Sequence, residues 1–153
     1  MSENTREPNL PIAVFLDRDG ALTEERGYLN HPDYLELIPN AAEAVALLNR
    51  AGLKTIVVTN QSGVARGFFP ESLLDVLHEK MRALLAQKNA RVDAIYYCPH
   101  HPSVGEPPYR RDCECRKPKI GMLDRAAREF SLDIKRSYLV GDKLSDMETA
   151  WNA

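Results

Sequence analysis

No apolar run in this 153-residue chain approaches the length needed to cross a membrane, and neither sign of charge prevails. Twenty basic side chains face twenty-two acidic ones, so the balance points to neither a nucleic acid nor a membrane surface as partner. Cysteine is scarce, and the three that occur, Cys98, Cys113 and Cys115, are an odd number that cannot all pair within one chain. There is no internal repeat and no low-complexity segment. The first eight residues, Met1 to Pro8, are polar and acidic, the opposite of a secretory leader. Residues 1–9 are therefore expected to be a disordered lead-in to a single domain spanning 1–153. The expected location is the cytoplasm, where thiols stay reduced, and the expected state is a monomer.

What is present is an alternation of strand and helix. Ile12 to Leu16, Leu53 to Thr59, Asp93 to Tyr97 and Tyr138 to Val140 are short apolar runs of the kind buried on both faces of a parallel sheet. Between them, Ala41 to Arg50, a longer helix beginning near Pro70, and Lys119 to Phe130 carry apolar residues at helical spacing; Leu144 to Trp151 adds a last helix. Asn40 is expected to cap the first helix and Gly52 to stop it. The pattern predicts an α/β fold, a mainly parallel sheet with helices on both faces. The long connection Ala21 to Pro39 has the length of a binding loop.

Three of the four strands end in polar or acidic residues. Asp17 and Asp19 stand two apart after the first strand, so both can face one spot beyond its carboxyl end, and Gly20 turns the chain there. Thr59 and Asn60 end the second strand, and Asp142 follows the fourth. Taken singly, Thr59 reads as a strand-end hydroxyl, Lys117 as a solvated lysine and Asp142 as a helix cap. Together, in a fold whose ligand sites lie at this end of the sheet, they are the parts of a phosphoryl-transfer site. They comprise a nucleophilic carboxylate, a second acid to move the proton, and a hydroxyl, an ammonium and a divalent metal for the transferred group.

Cys98-Pro-His100 and Cys113-Glu-Cys115 supply three thiolates and an imidazole, the composition of a closed structural zinc site. His101 competes with His100 as the fourth ligand, and His100 is preferred. The Pro- and Gly-rich segment Pro102 to Asp112 has little means of packing itself, so zinc is expected to tie it down and aim Arg116 and Lys117.

With these residues in this order the chain resembles the haloacid dehalogenase superfamily of phosphatases. Asp17 to Gly20 looks like its first motif, Thr59 its second, Lys117 its third, and Gly141-Asp142 with Asp146 its fourth. The resemblance implies a Rossmann-like fold without a separate cap domain, Asp17 as nucleophile and Asp19 as general acid/base. It implies Mg²⁺ held by the Asp17 and Asp142 side chains and the Asp19 backbone carbonyl, with Thr59 and Lys117 stabilising the phosphoryl group. Asp146 is expected to act as a cap or supporting carboxylate rather than a direct ligand.

Within the superfamily, the stretches FLDRDG, Gly27-Tyr28, VVTNQSGVARG, YYCPHHP, CECRKPKIGML and GDKLSDM resemble the D-glycero-D-manno-heptose-1,7-bisphosphate 7-phosphatases, enzymes of nucleotide-activated heptose synthesis. That implies a small phosphorylated sugar as substrate, contacted by Glu25, Arg26, Gly27, Tyr28, Asn60, Gln61, Ser62, Arg116 and Lys143. Histidinol-phosphate phosphatase is the nearest alternative. A zinc-stapled binding domain without catalysis is the alternative of another class. Ala21 stands where the superfamily usually has Thr. The superfamily's further strand and helix are missing after Ala153, so the Tyr138 strand is expected to form an exposed sheet edge with a frayed end.

Overall fold

The computed structural model describes residues 9–153, so the expected lead-in lies, but for Asn9, outside the described residues. In chain order the elements are β1 (Ala13–Leu16), α1 (Ala41–Arg50), β2 (Lys54–Asn60), α2 (Ser72–Ala86), β3 (Ala94–Cys98), α3 (Gly121–Phe130), β4 (Tyr138–Val140) and α4 (Leu144–Asn152). Short 3₁₀ turns lie at Pro32–Tyr34, inside the long first loop, and at Ile134–Arg136.

All strand pairs are parallel, and the sheet order is β3-β2-β1-β4. The chain steps outward from β1 to β2 to β3, then crosses back to lay β4 on the other side of β1. The strand order therefore reverses between β1 and β4, and open α/β sheets bind ligands beyond the strand ends at such a reversal.

Side-chain alternation divides the core between two layers. Val14, Leu16 and Val57 face α1 and α2, meeting Val45, Leu74, Leu77, Met81 and Leu85. Ala13, Phe15, Ile56 and Val58 face the other way, onto Met122, Leu123 and Ala126 of α3. The register aligns Phe15 with Ile56 and Leu16 with Val57, so each layer is continuous across the strands. The two-sided apolar runs of the sequence thus have their physical cause in helices on both faces.

Two local expectations are corrected. Asn40 precedes α1, but its backbone is left-handed (φ 67°) and its side chain caps nothing. Asp142 does not cap α4: Lys143 is the N-cap residue, and the Asp146 carboxylate accepts its N–H at 3.1 Å. Gly52, with φ 77°, ends α1 as expected.

Among the described residues β4 pairs with β1 and stands at one end of the sheet order. Tyr138 and Val140 remain 64% and 50% exposed, whereas Ile56, Val57 and Val58 of β2 are fully buried. Beyond β4, α4 is formed through Asn152 and is anchored by buried Asp146 and Thr149. Local opening requires little burial to be lost at such an edge. Native-state hydrogen exchange is expected to show the amides of Tyr138–Val140 exchanging faster than those of Ile56–Val58; equal protection of the two strands would contradict it.

Candidate active site

Asp17 follows directly on β1, and its backbone N–H donates to the Val140 carbonyl at 3.0 Å, which fixes the two strand ends beside each other. The Asp17 carboxylate is buried. Its Oδ1 accepts from the Arg18 backbone N–H at 2.9 Å and from Lys117 Nζ at 3.2 Å. Among the described residues no donor reaches Oδ2. Burial pushes this carboxyl above the usual carboxylate range, Lys117 offsets part of that, and the Asp146 charge adds to it.

Lys117 is itself 4% exposed and lies between two acids, with Asp146 Oδ1 at 2.5 Å. Its backbone is held on both sides by Asn60: the Asn60 amide donates to the Lys117 carbonyl at 3.1 Å, and the Lys117 N–H donates to Asn60 Oδ1 at 3.0 Å. Asn60, expected as a substrate contact, is therefore also the clamp on Lys117. Asp146, expected as a cap or supporting carboxylate, accepts from Lys117 Nζ and from the Lys143 N–H ahead of α4, and it also lies among the carboxylates close enough to share a metal. Gly141 leaves room for it, since a Cβ there would lie 2.1 Å from Asp146 Oδ2.

Asp19 is held differently. Its Oδ1 accepts from Arg18 Nε at 3.0 Å and Thr23 Oγ1 at 3.1 Å, and its Oδ2 from an Arg18 Nη at 2.9 Å and Gln61 Nε2 at 3.0 Å. Burial raises this carboxyl, but the Arg18 charge and the donated bonds outweigh it and leave Asp19 below the ordinary range. Gln61 Nε2 also reaches Thr59 Oγ1 at 2.9 Å, so one buried amide links Thr59 to Asp19.

A recess of about 30 Å³ lined by Asp17, Asp19, Thr59, Asn60, Lys117, Lys143 and Ser145 adjoins a crevice of about 590 Å³. Lining the crevice are Glu25, Gly27, Tyr28, Gln61, Ser62, Arg66, Arg116, Asp142 and Lys143. The structure thus brings together every expected substrate contact except Arg26, which turns outward to pair with Glu36 at 2.8 Å. Sequence reasoning missed Arg66 and Ser145. Arg66 lies over the Tyr28 ring, 5.6 Å from its centroid, and its place in the VVTNQSGVARG stretch was the available signal. Lys143 is paired with Glu25 at 3.3 Å; burial lowers its proton affinity, but Glu25, with Asp17 and Asp142, outweighs burial and raises it.

Oxygen atoms of Asp17, Asp142 and Asp146 lie within 4.8 Å of one another. Three negative charges with one positive charge from Lys117 leave two, which a divalent cation balances. The hard oxygen donors suit Mg²⁺, with Asp146 engaged by Lys117 and Asp142 exposed to receive it.

The ligand atoms of Cys98, His100, Cys113 and Cys115 also lie within 4.8 Å of one another. Sγ···Sγ separations of 3.5 Å and Sγ···Nδ1 separations of 3.6 and 3.4 Å are found. A tetrahedral zinc with bonds of about 2.3 Å to sulfur and ~2.0 Å to nitrogen has edges of about 3.8 and ~3.5 Å, so the set fits. His101 is not a ligand here, because its Nδ1 accepts from the Ser103 and Val104 N–H groups, both at 3.2 Å. The following segment is better anchored than its composition implied. Tyr109 donates to Glu71 at 2.7 Å, and Gly105 (φ 86°) passes so close to Ala65 that a Cβ would lie 1.8 Å from its carbonyl oxygen.

Fold and site together define a phosphatase of the haloacid dehalogenase type. A family model described as polynucleotide kinase 3 phosphatase matches residues 12–150, and the chain belongs to that family. Among curated relatives, the D-glycero-beta-D-manno-heptose-1,7-bisphosphate 7-phosphatase of Photorhabdus laumondii is 46% identical over 138 residues, 90% of this chain and 73% of that protein. Among solved structures, a HAD-like phosphatase from Mesorhizobium loti matches 94% of this chain and 68% of its own, with 39% identity and a TM-score of 0.88. The D,D-heptose 1,7-bisphosphate phosphatase from B. bronchiseptica, complexed with magnesium and phosphate, matches 92% and 75%, with 37% identity and a TM-score of 0.81.

Gly20 sits at φ 85°, and a Cβ there would lie 2.2 Å from Asp142 Oδ2. Gly20→Ala is expected to cost about 1–2 kcal/mol of stability from the left-handed backbone, and to reduce phosphatase activity far more, because Asp142 must move. Urea unfolding and turnover measured on the same preparation check this; unchanged activity would show that Asp142 has no fixed role.

Proposed function

We propose that the chain hydrolyses the 7-phosphate of D-glycero-D-manno-heptose 1,7-bisphosphate. The observation that carries this reading is Asp17, buried against Lys117, at the head of a crevice whose walls carry Arg66, Arg116 and Lys143. A bisphosphate needs a nucleophile at one end and cations for the phosphate that stays behind. The name shared by relatives at 46% and 45% identity supports the same substrate. A crevice of about 590 Å³ and a net charge of −2 suit a small ester better than a polynucleotide.

In this reading an Asp17 oxygen attacks phosphorus, the bond to the sugar oxygen breaks, and Asp19 gives that oxygen its proton. Water then attacks the aspartyl-phosphate, Asp19 takes the water's proton, and phosphate leaves with the Asp17 carboxylate restored. Asp19 is ionised while Arg18, Thr23 and Gln61 all donate to it. An anionic phosphoryl group arriving beside it raises its affinity for the proton it must carry. Thr59 and Lys117 donate to the phosphoryl oxygens in the recess. Mg²⁺ would be held by the Asp17 and Asp142 side chains with the Asp19 backbone carbonyl, and supplies positive charge to the transferring group.

The Cys98, His100, Cys113 and Cys115 set is read as a structural zinc site. Arg116 donates to the His100 carbonyl at 3.3 Å and follows Cys115 directly, so the metal loop fixes one wall of the crevice. Metal analysis is expected to give about one zinc per chain. Chelation is expected to weaken substrate binding and mobilise residues 102–116, while far-UV circular dichroism of the sheet persists; collapse of the whole fold would assign zinc a larger role.

Phosphate release from heptose 1,7-bisphosphate should require Mg²⁺, exceed that from histidinol phosphate, and fall by about a thousandfold or more in Asp17→Asn. Comparable turnover by that variant would remove Asp17 as nucleophile, and faster hydrolysis of histidinol phosphate would reassign the substrate.

A further inference from the structure

We propose that His78 is a positioning residue for catalysis, acting on Asp19 through Arg18. The inference rests on the reading of Asp19 as the carboxylate that moves the proton. His78 belongs to α2, sixty residues from Arg18 in sequence, and is 7% exposed. Its Nε2 lies 3.3 Å from an Arg18 Nη. Guanidinium nitrogens only donate, so Nε2 is the acceptor and the imidazole is neutral at that nitrogen. Burial and the Arg18 charge hold His78 down to about 3, in keeping with a permanent acceptor.

Arg18 is fully buried, and each of its three guanidinium nitrogens has a partner. Nε and Nη2 form a fork on the carboxylate of Asp19, the next residue, while Nη1 goes to His78. The chain bends at Arg18, just past the end of β1, and the fork to the next residue uses only Nε and Nη2, so Nη1 needs a partner from another element to fix the guanidinium. His78 supplies that fixed point from outside the loop. The remaining donors to Asp19, Thr23 and Gln61, are single bonds that permit the carboxylate to turn, whereas the planar fork sets its plane. An Arg18 free to swing would leave Asp19 mispositioned towards the leaving oxygen while the crevice that binds substrate stayed intact. The role therefore predicts a loss in kcat at constant KM.

The test compares His78→Gln, whose amide oxygen can stand where Nε2 stood, with His78→Asn, one carbon too short, and His78→Leu, which removes the acceptor. Steady-state kinetics on heptose 1,7-bisphosphate are read at a temperature where thermal unfolding shows every variant folded. The Asn variant keeps the comparison open if His78→Leu does not fold. We expect kcat to fall about tenfold or more in the Leu and Asn variants with KM within about twofold, and to recover to within about threefold in the Gln variant. Wild-type kcat in the Leu or Asn variant, a Gln variant no better than Asn, or a loss confined to KM would each overturn the proposal. Asp19→Asn separates the two readings. If it abolishes turnover while the His78 variants do not, only the role of His78 fails. If it turns over normally, the role of Asp19 fails as well.

Discussion

The site depends on one buried cation. Lys117 lies 3.2 Å from Asp17 and 2.5 Å from Asp146, and all three are withdrawn from water. An unpaired acid so buried would take up a proton, and the upward push on Asp17 shows that tendency even with Lys117 present. The ammonium keeps Asp17 available as an anion and holds Asp146 where it can receive the N–H of Lys143, the N-cap of α4. Much of the surrounding architecture places that one nitrogen. Asn60 holds the Lys117 backbone from both sides, Gly141 clears space for Asp146, and the cysteine cluster delivers the chain to Arg116 and Lys117, one and two residues after Cys115.

A second buried ion pair stands beside the first with a different logic. Arg18 and Asp19 neutralise each other, and His78 completes the arginine's partners without adding charge. The first group carries a surplus of negative charge that a divalent metal balances; the second is already balanced. Catalytic sites act by fixed charges and dipoles arranged before the substrate arrives, and two separate ion pairs allow Asp17 and Asp19 different environments, as the roles proposed for them require. Gln61 ties this second pair to the end of β2, donating to both Thr59 and Asp19.

Sequence made legible whatever depends on strand ends and ligand chemistry. Asp17, Asp19, Thr59 and Asp142 follow apolar runs, and the parallel order of those runs brings their ends to one edge. Three cysteines and a histidine carry their own chemistry, and the structure closes them to tetrahedral spacing. Less legible were the contacts that come from packing at long range. Nothing local distinguishes His78 from a surface histidine on an amphipathic helix, and its burial against Arg18 appears only when α2 covers the sheet. Arg26 went the other way: neighbours on a binding loop point in different directions, and this one reaches Glu36 rather than the crevice. Asn40 has the identity of a helix cap but a backbone that turns its side chain away. Composition understated the cysteine loop for a similar reason, because the tie from Tyr109 to Glu71 crosses 38 residues.

The edge strand is where fold and chemistry bear most directly on each other. Among the described residues β4 has one neighbour, half-exposed side chains and a length of three residues, so by packing it is the least secured of the described strands. Yet it leads into Asp142, whose carboxylate lies within 4.8 Å of those of Asp17 and Asp146 in the proposed metal site. What secures it comes largely from the site. Asp17 donates its N–H to Val140, and Asp142 packs against Gly20, where a Cβ would meet its carboxylate. Asp146, four residues on, is pinned by Lys117. The contacts that organise catalysis also fasten the strand that carries part of it. A metal bound between Asp17 and Asp142 would therefore bridge β1 to β4 and stabilise the edge that bulk packing leaves open.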